Sequence, residues 1–146
     1  MNATVFSVNI SDKKGMRKKT VDKVVLKENY GIKNDAHASE KWHRQISLLA
    51  LESIKKMQFK GLKVKQGDFA ENITTQGIDL PNLPVGTKII IGDNVEIEVS
   101  QIGKVCHTRC AIYNLAGDCV MPKEGIFAKV LKGGIVKKGD KIKVKS

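Results

Sequence analysis

The sequence predicts a mainly β protein: a strongly bent sheet or β-barrel carrying a few short helices. Three observations point there. Short runs rich in Val, Ile and Phe recur along the 146 residues. Some of these runs alternate apolar with polar residues, the period of a half-buried strand. Gly, Asn and Asp cluster between them, as turns require.

In chain order, Ala3 to Ile10 reads as a strand and Lys13 to Lys19 as a basic, Gly-containing connection. Thr20 to Leu26 reads as a second strand, and Tyr30 to Glu40, with Gly31 and Asn34-Asp35, as loop. Gln45 to Leu49 suits another strand. Leu49 to Phe59 then takes helical spacing, with Leu51, Ile54 and Phe59 expected on one face and Lys55, Lys56 and Lys60 outside it. Val85-Gly86-Thr87 opens the apolar run Ile89 to Ile91, and Gly92-Asp93-Asn94 is a tight hairpin turn. Val95 to Val99 alternates strictly, which predicts one buried and one wet face. Ile126 to Leu131 is a further strand ended by Gly133-Gly134, and Lys138-Gly139-Asp140 turns into Ile142 to Lys145. The strings V-G-T-K-I and K-G-D-K-I are one turn device used twice. No linker divides the chain, so residues 1–146 are expected to form a single domain.

Composition narrows the function. Lysine plus arginine is 26 against 15 aspartate plus glutamate, a net charge of +11 that favours anionic partners. The lysines are scattered, however, and aromatic residues are only 5%, too few for a base-stacking surface, so nucleic acid is not the expected partner. No apolar run has the length of a membrane span, and the first residues lack the pattern of a secretory signal. The expected location is cytoplasmic, with no membrane contact.

Arginine is rare in this lysine-rich chain: Arg17, Arg44 and Arg109. Its planar fork binds carboxylate or phosphate in a way lysine cannot copy. Arg44 lies in His37-Ala38-Ser39-Glu40-Lys41-Trp42-His43-Arg44, where the histidines offer acid–base or anion-binding chemistry and Trp42 offers a hydrophobic anchor. Arg109 lies in Lys104-Val105-Cys106-His107-Thr108-Arg109-Cys110, directly after the alternating strand. Lys104, His107 and Arg109 surround the thiols with positive charge, which favours thiolate, the attacking and metal-ligating form. Cys110 and Cys106 are therefore the candidate reactive residues. Cys119 sits beside Asp118, which disfavours thiolate, and is expected to be dispensable. With His107 the three cysteines also offer a Cys3His zinc set, the basis of an alternative reading as a zinc-stabilised adaptor. The polar stretch Gly67 to Gly77 contains Asn72, Thr74 and Thr75, side chains suited to cradling an anionic or heterocyclic ligand.

Together these stretches resemble the MOSC domain, named for the C-terminal domain of molybdenum cofactor sulfurases. The resemblance covers most of the chain and rests on H-A-S-E-K-W-H-R-Q-I-S-L-L, G-D-F-A-E-N-I-T-T-Q-G-I, E-V-S-Q-I-G-K-V-C-H-T-R-C and G-I-F-A-K-V-L-K-G-G-I-V-K-K-G-D. It is that of the small stand-alone bacterial form. It implies a barrel-like fold and binding of the molybdenum cofactor, a phosphorylated pterin-dithiolene. Family members carry or transfer sulfur for that cofactor, or bind it and reduce N-hydroxylated compounds. A cysteine carries the sulfur or ligates molybdenum, and its soft thiolate suits both tasks. Cys110 is the first choice for that ligand and Cys106 the second. The cofactor-binding set is Arg44, Asn72, Thr74, Thr75, Lys104, His107 and Arg109, with Arg44 toward the phosphate. The implied partners are a cysteine desulfurase, a cofactor-synthesis protein or a molybdoenzyme. Pyridoxal phosphate is not expected, since the chain has no room for the domain that holds it.

Overall fold

The structure is a computed structural model that describes residues 3–13, 17–103 and 124–145. Lys104, Cys106, His107, Arg109, Cys110 and Cys119 lie outside the described residues. Among the described residues the elements are β1 (Ala3–Ile10), β2 (Lys19–Val21), β3 (Lys23–Lys27), β4 (Gly31–Ile32), β5 (Ile46–Ala50), α1 (Leu51–Phe59), β6 (Ile73–Gln76), β7 (Lys88–Ile91), β8 (Val95–Ile102), β9 (Ile126–Lys132), β10 (Gly134–Lys137) and β11 (Lys141–Val144), with one 3₁₀ turn at Leu80–Asn82.

Seven strands close into a barrel. The order is β11-β7-β8-β9-β5-β6-β1, and β1 returns to β11 through Ala3 opposite Ile142 and Thr4 opposite Lys141. All barrel neighbours are antiparallel except β5 and β6. A parallel pair needs a crossover longer than a hairpin turn, and α1 lies in that connection. β2 pairs with the far end of β1, at Val8–Ile10. Strands β10, β3 and β4 form a separate three-stranded sheet. Gly86 and Gly139, the glycines of the repeated turn device, take φ of 98° and 91°. They lead into β7 and β11, which pair with each other.

Alternation decides what faces inward. Ile46, Leu48 and Ala50 of β5 join Ile89, Ile91, Ile97 and Val99 in the barrel core. Leu49 points outward and packs with Ile54 and Met57 of α1, Val64, Phe69 and Phe127. These two apolar layers sandwich β5, so all five of its residues are buried.

Four expectations need correction. Thr20 to Leu26 is not one strand: it breaks at Asp22, with β2 serving the barrel and β3 the small sheet. The Tyr30 to Glu40 loop contains β4. In α1 the covered face is Ser53, Ile54 and Met57, and Phe59 is 95% exposed. Five residues of helix carry Phe59 about 140° round from Ile54, so the two cannot share a face. Finally, β8 is not wet along one whole side. Glu96 is buried and pairs with Lys145 at 3.1 Å.

Candidate functional site

β8 ends at Ile102 beside the start of β9, and the Gly103 amide donates to the Gly125 carbonyl at 2.6 Å. Gln101, just before that point, organises a cluster outside the barrel. Arg44 Nε donates to Gln101 Oε1 at 3.0 Å, and Gln101 Nε2 donates to the Gly103 carbonyl at 2.7 Å. These two contacts fix the amide orientation, because guanidinium only donates and carbonyl only accepts. His43 Nε2 lies 2.8 Å from the same Oε1, so it must carry its proton there.

Two rings hold the Arg44 guanidinium. Its carbon lies 4.3 Å from the Trp42 ring centroid and 5.0 Å from that of Phe127. A stacked guanidinium keeps its charge while losing its freedom to turn. Trp42 is 41% exposed, so it carries Arg44 rather than anchoring a loop in the core. Among the described residues nothing accepts from the terminal Nη groups of Arg44, and no carboxylate pairs with it. The arrangement is a pre-oriented fork of donors with open valence, which suits a phosphate oxygen pair. Arg17, by contrast, makes an ordinary surface contact with Asp68 at 3.7 Å.

The polar stretch after Gly67 is built differently from a ligand-cradling loop. Ile73–Gln76 is strand β6, and Asn72, Thr74 and Thr75 are fully buried. Asn72 Oδ1 accepts from the Ser47 amide at 3.0 Å and from Ser47 Oγ at 3.2 Å, while Nδ2 donates to the Asn9 carbonyl at 3.3 Å. Thr74 Oγ1 donates to Glu71 Oε2 at 2.6 Å and accepts from Asn9 Nδ2 at 3.2 Å. Asn72 and Thr74 therefore stitch the barrel wall from within. Thr75 Oγ1 has no hydrogen-bond partner among the described residues.

Glu71 anchors this seam. Its Oε2 also accepts from the Gly67 amide at 3.0 Å. Gly67 has φ 87°, and a Cβ there would come within 2.2 Å of the Lys18 carbonyl, so only glycine fits. Burial pushes the Glu71 carboxyl well up, outweighing these hydrogen bonds. The folded state thus holds a proton that the unfolded chain releases near its ordinary value of 4.5. Stability is expected to fall as pH rises from there to the folded-state value and to be flat above it. Glu71→Gln keeps an acceptor for Gly67 and Thr74 and cannot ionise, so it should abolish that slope. Urea midpoints at several pH values test this; a slope retained in the variant contradicts it.

A second buried charged cluster escaped the sequence reading. Lys18 Nζ reaches Asp35 Oδ1 at 2.8 Å, Ser11 Oγ at 3.0 Å and His37 Nδ1 at 2.8 Å. An ammonium only donates, so His37 Nδ1 accepts. His37 and His43 thus serve separate clusters. One lysine among many gives no signal in sequence. Gln101 was equally silent, although its place at the end of an alternating strand and two residues before a glycine marked the spot.

Over residues 33–143 the chain matches the family model of the MOSC domain. No curated protein sequence matches it. Among solved structures it is similar to the YuaD protein from Bacillus subtilis, with a TM-score of 0.81 at 22% identity, covering 99% of this chain and 96% of that one. It is also similar to YiiM from Geobacillus stearothermophilus, with a TM-score of 0.71 at 18% identity over 99% of this chain and 75% of that one. YiiM from Escherichia coli gives a TM-score of 0.66 at 19% identity over 100% of this chain and 70% of that one. At these identities the structural likeness shows a shared fold. Among the described residues no helix is long and apolar enough to cross a membrane.

Proposed function

Because the chain belongs to the MOSC domain family, we propose that it binds the molybdenum cofactor and carries or transfers sulfur for it through a reactive cysteine. Family membership is consistent with a role related to that cofactor. The observation that carries the finer reading is Arg44: a guanidinium clamped between two rings and by Gln101, with its terminal donors unclaimed among the described residues. A pterin phosphate is the ligand such a fork would hold. Cys106 and Cys110 follow Gln101, which supports Arg44, by five and nine residues in sequence.

In this reading Arg44 orients the phosphate. Gln101 and the rings position Arg44, and the thiolate of Cys110, or of Cys106, meets molybdenum or carries the sulfur. Lys104, His107 and Arg109 keep that thiol ionised. Asn72, Thr74 and Thr75 contribute through the wall behind the site. The cofactor, when bound, would supply a soft metal–dithiolene centre. A cysteine desulfurase, a cofactor-synthesis protein or a molybdoenzyme would be the partner.

The test is molybdenum and pterin content of protein purified from a host that makes the cofactor. Arg44→Ala should reduce retained pterin about tenfold or more, the loss expected for a charge-assisted bidentate contact. Lys55→Ala, an exposed helix lysine, should leave it unchanged. Cys110→Ser should lose molybdenum, and Cys119→Ser should keep it. Equal effects of Arg44→Ala and Lys55→Ala would reduce the site to general charge. Stoichiometric zinc, with unfolding on chelation, would favour the adaptor instead.

A further inference from the structure

The outer face of the three-stranded sheet has an apolar centre inside a basic rim. β3 alternates exposed and buried residues, so Lys23, Val25 and Lys27 point outward. Ile135 of β10 is the direct cross-strand partner of Val25. Lys33, exposed just past β4, donates its amide to the Val25 carbonyl at 2.9 Å and flanks Val25 on the other side. Val25 is 43% exposed and Ile135 55%. Among the described residues no carboxylate pairs with Lys23, Lys27 or Lys33. Beside Ile135 a groove of about 600 Å³ opens between β10 and the turn joining β7 to β8. Of the two carboxylates along it, Asp140 is already held by the amide and ammonium of Lys137, leaving Asp93.

Lysines on an exposed sheet guard it against pairing with other strands. That role does not call for two aliphatic side chains at the centre. An apolar centre within a charged rim is the anatomy of a protein interface. A nucleic acid would call for stacking rings or arginine, and a lipid surface for Trp or Phe. The face offers neither set; Tyr30 lies beneath the Lys27 ammonium, 5.5 Å from ring centroid to nitrogen. We propose that this face docks an extended, acidic segment of a partner polypeptide. An apolar side chain of that segment enters the groove against Ile135, and its carboxylates meet Lys23, Lys27 and Lys33. The groove lies at the Val95 end of β8 and the Arg44 cluster at the Gln101 end, roughly 20 Å along the strand. Both can be occupied at once.

The probe is a fluorescein-labelled peptide of alternating Glu and Leu, read by anisotropy and by amide shifts of isotope-labelled protein. Shifts are expected in β3 and β10. Ile135→Asp and Val25→Asp should each weaken binding about fivefold or more, and the pair Lys23→Glu with Lys27→Glu about tenfold, as for other interface centres and charge reversals. Val85→Asp, at an equally exposed position before β7, should change it less than twofold. All five changes, in four variants, are at exposed positions, and circular dichroism confirms that each variant is folded. Equal binding by every variant, shifts confined to other surfaces, or no binding would overturn the proposal. So would stronger shifts of the same amides by single-stranded RNA or by phosphatidylserine vesicles.

Discussion

Lys18→Met is expected to destabilise the fold by about 3–5 kcal/mol, the usual cost of stranding one member of a buried ion pair. The Lys18 and Asp35 side chains are 0% and 1% exposed. Asp35 Oδ1 accepts from Lys18 and from the Ser11 amide at 3.1 Å, and Oδ2 accepts from the His37 amide at 3.0 Å. The pair thus ties the end of β1, the entry to β2 and the loop after β4 to one another. Burial pushes the Asp35 carboxyl up, but the Lys18 ammonium and the two amides together hold it below its ordinary value of 3.8. Its contribution is present above 3.8 and disappears as pH falls through the lower folded-state value. Without the ammonium, burial is opposed only by the two amides and that value rises, so the loss of stability that Asp35 contributes on acidification should shrink in the variant. The double change Lys18→Met with Asp35→Asn removes the stranded charge and keeps an acceptor for Ser11, so it should recover more than half of the loss. Urea unfolding across pH checks both statements. A loss below about 1 kcal/mol in the single variant would show that the pair is dispensable.

Asn72→Ala is the second large effect, a loss of about 3 kcal/mol. The change leaves the Ser47 amide and the Asn9 carbonyl without their side-chain partner in a dry wall, at about 1–3 kcal/mol for each group. The backbone of Asn72 still bonds to both strands, through Ser47 and Asn9. That keeps the loss finite and the fold recognisable. For a chain of this length the melting temperature should drop by about 6–12 °C. Thr75→Val is the contrast. Its hydroxyl is buried without a partner among the described residues, so the nearly isosteric apolar side chain should be neutral or slightly stabilising. A calorimetric scan of the two variants decides it: equal losses would mean that the seam responds to volume and not to hydrogen bonding.

The barrel was legible in the sequence because its strands obey local rules. β1, β7, β8 and β9 follow apolar runs, and the turns at Gly92 and Gly139 carry the residues such turns need. What was not legible depends on partners distant in sequence. Asn72 and Thr74 look like loop residues because short polar side chains favour turns. Only the closure of β1 and β5 around β6 makes them internal. Lys18 reads as one more surface lysine until Asp35 and Gly67 close over it. At the site, the scarcity of arginine drew attention to Arg44. Its supports, Gln101 and Phe127, come from strands 57 and 83 residues later in the chain, where no local pattern could pair them with it.

The barrel closes where β1 meets β11, strands from opposite ends of the chain. In a growing chain, β2 covers Val8–Ile10 on that edge of β1 early, but Ala3 and Thr4 have no strand partner there until β11 has been made. At about 5–20 residues per second, this leaves that stretch of β edge open for roughly seven to thirty seconds of synthesis. Such non-local closure also slows refolding of the finished chain, since loop entropy must be overcome before the last ladder forms. The seam between β1 and β11 is thus the fold's vulnerable moment in time: a nascent chain is open to mispairing there until β11 arrives.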